Sequence, residues 1–333
     1  MSSLPLLALT LGDPAGTGPE LLTKALVDPA VRAVCRPLVI GDAATLAAAR
    51  AFTNCPAEIV AVDTPENATF AAETLTVLDL KNVDLATLER SAVSAAAGQA
   101  AYDAVVTAAH LALEGRVAAI VTSALNKAAL NAAGHHYDGH TGLLAHVCQS
   151  PGATMMLAAD KLRVSHVSTH VSLREAINRV RPERILKVLE LTRAAVQRLG
   201  IADPKLAVAG LNPHAGEGGL FGTEEEEFIA PAIAEAQARG WNVSGPHPGD
   251  TVFFRAAQGE FDGTVAMYHD QGHVAAKMLG IWRGVNVTLG LPIIRTSVEH
   301  GTDFANAGTG RGDPRSLIEA IKLAAALAAQ PSA

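Results

Sequence analysis

The chain has 333 residues, 49% of them hydrophobic, with 26 Lys and Arg against 33 Asp and Glu and a formal net charge of −7. That apolar content excludes a disordered chain, and the acidic balance excludes a broad cationic surface for nucleic acid, although individual arginines can still hold a small anion. Cys35, Cys55 and Cys148 are odd in number and lack CxxC spacing, as expected of reduced core thiols. The opening MSSLPLLALTLGD has no basic n-region and too short an apolar stretch for a signal or a membrane span, so a soluble, cytoplasmic protein is expected.

In chain order, short apolar and β-branched runs predict strands at 6–11, 37–40, 58–62, 76–80, 118–122, 154–158, 163–167, 206–210, 264–267 and 285–289. Helices are predicted at 19–26, 43–51, 91–113, 181–199, 224–239 and 314–329, with Pro19 at a first helical position and Thr223 with Glu226 as a capping box. This alternation specifies an α/β fold with a largely parallel sheet. No linker divides the chain, which points to two lobes that share strands, with an active-site cleft between them. The first lobe is expected to take residues 1–125 plus about 290–333, the second about 126–289.

Three histidines follow predicted strands: His170 in VSHVSTH, His214 in GLNPHAGEGG and His269 in AMYHDQGH. Open α/β sheets bind ligands outside the carboxyl ends of their strands, and three imidazoles gathered there are a ligand set for one divalent metal. His166 lies four residues before His170, but the surrounding valines favour strand, so only one of the two is expected to ligate, and His170 lies farther out.

Other loops carry polar groups. GDPAGTGPE follows the first strand and opens a helix, yet it is neither GxGxxG nor GxxxxGK[ST]; it is read as a tight turn or as an anion site. In TSALNK, Thr122 or Ser123 is a helix-cap candidate, and Asn126 and Lys127 are candidates to hold a ligand. His140 and Thr141, before an apolar run, are expected to bind an oxyanion, with a simple N-cap at Thr141 as the plainer alternative. Asp250, Asp270, Gln271, His273 and Lys277 crowd one region; Asp270 either orients a metal-bound histidine or, with Gln271, caps a helix. Asn286, Arg295 and His300 stand in a last polar stretch, where Arg295 is placed to clasp phosphate or carboxylate.

GDPAGTGPE, GHT at 139–141, STH at 168–170, GLNPHAGEGG, GDTVF, MYHDQG, GVNVTLGLP and IRTSVEHGT occur in one order across nearly the whole chain. Together they resemble the 4-hydroxythreonine-4-phosphate dehydrogenase (PdxA-like) family. The resemblance implies an isocitrate/isopropylmalate-dehydrogenase-like α/β/α architecture and an NAD(P)-dependent oxidative decarboxylase of pyridoxine biosynthesis. It also implies a homodimer whose metal site is shared across the interface. It implies metal ligation by His170, His214 and His269, one of them from the partner subunit, and substrate contacts from His140, Thr141, Lys277, Asn286 and Arg295. Lys277 and Asp250 are the catalytic candidates, Lys277 as proton relay. The cofactor-contacting residues stay unassigned. The donor chemistry admits zinc, cobalt or nickel, and with carboxylates and water magnesium or manganese.

Two positions depart from the family pattern. Gly142 stands where the family usually has Glu, and His273 replaces an aliphatic residue. His273 instead resembles relatives acting on 4-phosphorylated threonate or erythronate, or on a terephthalate cis-dihydrodiol. A three-histidine metallohydrolase or lyase without nicotinamide is the alternative of another class.

Overall fold

The computed structural model describes residues 4–280 and 284–330. Twelve strands lie among them: β1 Leu6–Thr10, β2 Arg36–Gly41, β3 Glu58–Val62, β4 Thr74–Asp79, β5 Ala119–Thr122, β6 Thr154–Ala159, β7 Leu162–His166, β8 Leu206–Ala209, β9 Val243–His247, β10 Gly263–Ala266, β11 Val285–Leu289 and β12 Arg295–Val298. The chain divides into two compact units. One is formed by residues up to Ala153 together with Leu291–Ala329, the other is centred on Thr154–Gly290.

In the first unit the strand order is β3-β4-β2-β1-β5-β12, all parallel. The chain moves outward from β1 to β2 and then returns to β5 on the other side of β1. The carboxyl ends of β1 and β5 therefore flank the point where the strand order reverses, the usual place for a ligand in such sheets. The long helix Ala95–Leu113 covers one face, with Ala104, Val105 and Ala108 packed against Leu38, Ile40 and Ile120.

In the second unit the order is β11-β6-β7-β10-β8-β9. β6 is antiparallel to both β11 and β7, whereas β7, β10, β8 and β9 are parallel. Two cores sandwich this sheet. One gathers Val188, Leu189, Val208, Ile233 and Val265; the other gathers Leu157, Val164, Ala207, Phe253 and Ala266. Cys35, Cys55 and Cys148 are buried free thiols, as expected.

Residues 126–153, assigned to the second lobe from the sequence, belong to the first unit. Helices Lys127–Ala132 and His140–Val147 pack on the long helix, where Gly98 admits the Ala129 carbonyl at a distance that a side chain would forbid. Two strands had no sequence signal. β9 contains Gly245-Pro246 and reads as a turn, but it is an edge strand with an irregular register, where proline is tolerated. β12 reads as a polar loop. Its Thr296 donates to the Ala320 carbonyl at 2.8 Å and its Ser297 to the Thr122 carbonyl at 3.2 Å, so both hydroxyls are buried without penalty. The capping box at Thr223 does not form. Thr223 Oγ1 bonds the carboxylate of Glu227, and Glu225–Ile229 is a π-helical turn.

Candidate active site

The three candidate metal ligands sit at the carboxyl ends of three adjacent strands, β7, β10 and β8. His170 is exposed in the loop after β7, His214 is exposed in the Gly-rich loop after β8, and His269 begins the helix His269–Met278 after β10. The rings of His170 and His269 lie 5.6 Å apart and share a concavity of about 450 Å³ with Thr169, Ser172, Tyr268 and Asp270. His214 lines a neighbouring concavity of about 640 Å³ with Asp250 and Gln271, and Tyr268 and Asp270 border both. Among the described residues no group of three or more His, Cys, Asp or Glu side chains is arranged to hold a metal ion. Thus His170 and His269 come together and His214 stands in the adjoining hollow.

Asp270 does more than begin a helix. Its Oδ1 lies 2.6 Å from His269 Nδ1, and because a carboxylate only accepts, Nδ1 carries the proton and Nε2 keeps its lone pair for a ligand. The same hydrogen bond from His269 holds the Asp270 carboxyl below its ordinary range. Gln271 is not a cap either. It accepts from the Met267 N–H at 2.7 Å and donates to the Gly210 carbonyl at 2.7 Å, tying the ends of β10 and β8 together.

Behind this edge is an imidazole stack that the sequence did not reveal. His273 lies face to face with His269, 3.7 Å between centroids and 11° between planes, and His166 lies 4.7 Å from His273. His166 is fully buried, with neither ring nitrogen hydrogen-bonded. Burial, then the neighbouring His273, pushes its pKa down to about 3; burial, then His269, pushes His273 down to about 4. His273 Nδ1 donates to the His269 carbonyl at 3.0 Å. His269, His273 and Lys277, spaced four apart, share one face of their helix. Lys277 and Asp250 are exposed. Asn286 directs its Nδ2 at the Met155 sulfur, 3.0 Å away, and its Oδ1 is buried without a hydrogen-bond partner.

The first unit carries the anion-binding candidates. Arg295 is not in a loop but opens β12, 2% exposed, and donates from Nε at 3.1 Å and Nη2 at 2.7 Å to the hydroxyl of Thr122 at the end of β5. Thr122 is thus an arginine anchor, and the cap of the next helix is Asn126, whose Oδ1 accepts from Ala129 N at 3.0 Å. Burial draws the Arg295 pKa down to about 9, which leaves it charged at neutral pH. His140 begins its own helix behind Gly139, so Thr141 is not the N-cap. Its Nε2 is buried and unpartnered, and burial, then the charge of Arg295, hold the ring neutral.

The GDPAGTGPE loop sits at the switch point between β1 and β5. Its Gly12, at φ 78°, lies where a Cβ would meet the Ala124 carbonyl at 2.6 Å, so this glycine serves close packing of the two loops. Asp13 N donates to that carbonyl at 3.0 Å, while Asp13 Oδ2 is buried without a partner and burial raises its carboxyl to about 6. His300 Nδ1 lies 2.8 Å from the Gly301 carbonyl and its Nε2 is buried and unpartnered.

The sequence model of the pyridoxal phosphate biosynthetic protein PdxA matches residues 33–324. The chain belongs to the PdxA family. A D-threonate 4-phosphate dehydrogenase of Cupriavidus necator is 48% identical over 98% of this chain and 98% of its own length. A 4-hydroxythreonine-4-phosphate dehydrogenase of Desulforapulum autotrophicum is 45% identical over 96% of this chain and 95% of its own. The crystal structure of a 4-hydroxythreonine-4-phosphate dehydrogenase from Burkholderia phymatum superposes with a TM-score of 0.88 at 46% identity, covering 98% of this chain and 99% of the other. The α/β architecture and dehydrogenase character of this PdxA-family member follow from these relatives.

The two departures from the PdxA pattern now have surroundings. A Cβ at Gly142 would fall on the Asp138 carboxylate, so a larger residue there must displace Asp138. His273 is the middle ring of the stack behind His269. Glu225 lies in the EEEE run that opens the predicted helix 224–239, yet it is 3% exposed and bonded into the His214 loop. Nothing in EEEE distinguishes the one glutamate that the π turn rotates inward.

Proposed function

We propose that this PdxA-family chain is a metal- and NAD-dependent dehydrogenase that oxidises a 4-phosphorylated four-carbon hydroxy acid with loss of carbon dioxide, with 4-hydroxythreonine 4-phosphate as substrate. The observation that carries the metal reading is the Asp270–His269 pair beside His170, which fixes the tautomer a metal-binding imidazole needs. All three candidate ligands stand at strand ends on neighbouring elements, so the donor chemistry fits a divalent cation, although one chain does not close the set. A homodimer completes it, and the exposed Phe254, Val274 and Met278, on two helices that pack together, support such an interface. When bound, the cation lowers the pKa of the substrate hydroxyl and the nicotinamide accepts the hydride. Arg295, His140 and Thr141 hold the phosphate; Asn286 Oδ1 accepts a hydrogen bond from the substrate; Lys277 returns a proton to the carbon left by decarboxylation; Asp250 orients groups around His214.

A second substrate reading, D-threonate 4-phosphate, is favoured by the name of the 48% identical relative. The two compounds differ at C2, amine against hydroxyl. The dihydrodiol and hydrolase readings are not favoured by full-length relatives that are named as dehydrogenases of four-carbon phosphates. The test is a panel of both phosphates, with NAD or NADP, after chelation and add-back of zinc, cobalt, magnesium or manganese, followed at the NADH absorbance. Metal-dependent NADH formation with the 4-hydroxythreonine ester supports the proposal. A signal from the threonate ester alone replaces the substrate, and no NADH from either refutes the dehydrogenase reading.

A further inference from the structure

The loop that carries His214 has an unusual backbone. Six consecutive residues, His214, Ala215, Gly216, Glu217, Gly218 and Gly219, have φ of 55°, 54°, 82°, 46°, 63° and 88°. Three of them bear side chains, for which this left-handed conformation is unfavourable. Such a turn persists only where its surroundings over-determine it.

Glu225 supplies that determination. It is 3% exposed and stands at the start of the π-helical turn Glu225–Ile229. Its Oε1 accepts from the backbone N–H groups of Leu211 and Asn212, both at 2.7 Å, and its Oε2 accepts from Asn212 Nδ2 at 2.9 Å. The carboxylate fills the hollow of the loop so fully that a Cβ at Gly216 would meet Oε2 at 2.9 Å and one at Gly210 would meet Oε1 at 3.1 Å. A π turn holds one residue more than an α turn and so swings the preceding side chain by roughly 100° about the axis. π-bulges concentrate at functional sites.

We propose that Glu225 is a positioning residue for metal binding: its buried carboxylate clamps the start of the left-handed turn and holds His214 in the pose from which the imidazole ligates. This rests on the reading of His214 as a metal ligand. Glu225 touches neither metal nor substrate; it acts through the backbone of Leu211 and Asn212.

The experiment titrates the full-length, metal-stripped protein with Co²⁺ by calorimetry and by visible absorption of the bound ion. Glu225→Ala is expected to lower Co²⁺ affinity by about 10- to 100-fold, the usual effect of losing an outer-shell support, and to alter the Co²⁺ band. Glu225→Gln keeps an oxygen to accept both N–H groups but sets its NH2 against Asn212 Nδ2, so its Co²⁺ affinity is expected between those of wild type and Glu225→Ala. Adding Ala215→Gly to Glu225→Ala is expected to recover part of the affinity, because glycine adopts that φ without strain. Wild-type affinity and spectrum in Glu225→Ala overturn the inference when His214→Ala has lost binding. Wild-type binding in His214→Ala instead overturns the ligand reading beneath it. If Glu225→Ala does not fold, Glu225→Asp withdraws the clamp by one methylene, and wild-type Co²⁺ affinity there overturns the proposal.

Discussion

Replacing Arg295 by methionine should leave the unliganded protein about as stable as wild type while removing its hold on an anionic substrate. Burial lowers the guanidinium pKa from 12.5 to about 9. At about 1.4 kcal/mol per unit this burial disfavours the charge by on the order of 5 kcal/mol. Among the contacts that hold the charge are hydrogen bonds from Nε and Nη2 to Thr122 Oγ1. Replacing a buried charged group by an apolar one of similar length is commonly close to neutral, so Arg295→Met should shift the melting temperature of the substrate-free protein by no more than a few degrees. Losing a charged partner of a bound phosphate costs about 2–5 kcal/mol, so KM should rise by roughly 30- to 5,000-fold. If Arg295 binds ground and transition states alike, kcat stays within about fivefold. Arg295→Lys, which keeps the charge but loses the planar fork, should fall between. Steady-state kinetics and thermal denaturation on the same preparations give both numbers. An unchanged KM, or a large fall in kcat at constant KM, would refute the assignment.

Other outcomes follow from the site. His214→Ala should keep the wild-type circular dichroism spectrum but lose metal-stimulated turnover; full activity removes it from the ligand set. His166, held near pKa 3 in the fold against 6.5 as the ordinary value, stays neutral when the unfolded chain gains a proton. Its contribution to stability is therefore complete above pH 6.5 and is lost as pH falls toward 3. By linkage it amounts to about 2 kcal/mol between pH 7 and 5. The urea unfolding free energy of wild type, taken relative to that of His166→Leu, should fall by that amount from pH 7 to pH 5, and a constant difference contradicts the argument. Gly142→Glu must move the Asp138 carboxylate, which is the exposed free end of a flexible side chain, so it should change stability by less than about 1 kcal/mol. A loss of several kcal/mol in urea unfolding would show that Asp138 cannot swing aside.

Where the sequence was legible, local pattern and tertiary environment agreed. β3 and β11 follow their predicted bounds because an apolar run there is bordered by turn residues. The three histidines were visible because each follows a buried strand, and β7, β10 and β8 prove to be neighbours. Agreement failed where a distant partner decided the outcome. β12 hides as RTSV because its hydroxyls find carbonyls 24 and 175 residues away. The helices Lys127–Ala132 and His140–Val147 are too short for a periodic signal, and their packing on the long helix moves the unit boundary. Glu225 looks like its neighbours until the π turn sets it beneath the loop after β8. The stack of His166, His273 and His269 depends on the pairing of β7 with β10, which no local spacing encodes.

Anomalous scattering at the cobalt edge, from crystals of the protein grown with Co²⁺, tests the metal-centred account most directly. The account predicts one strong peak bonded to ring nitrogens of His170, His214 and His269, with one of the three contributed by a second copy of the chain. A peak held elsewhere, for example by His273, or no ordered cobalt near these residues, would contradict it.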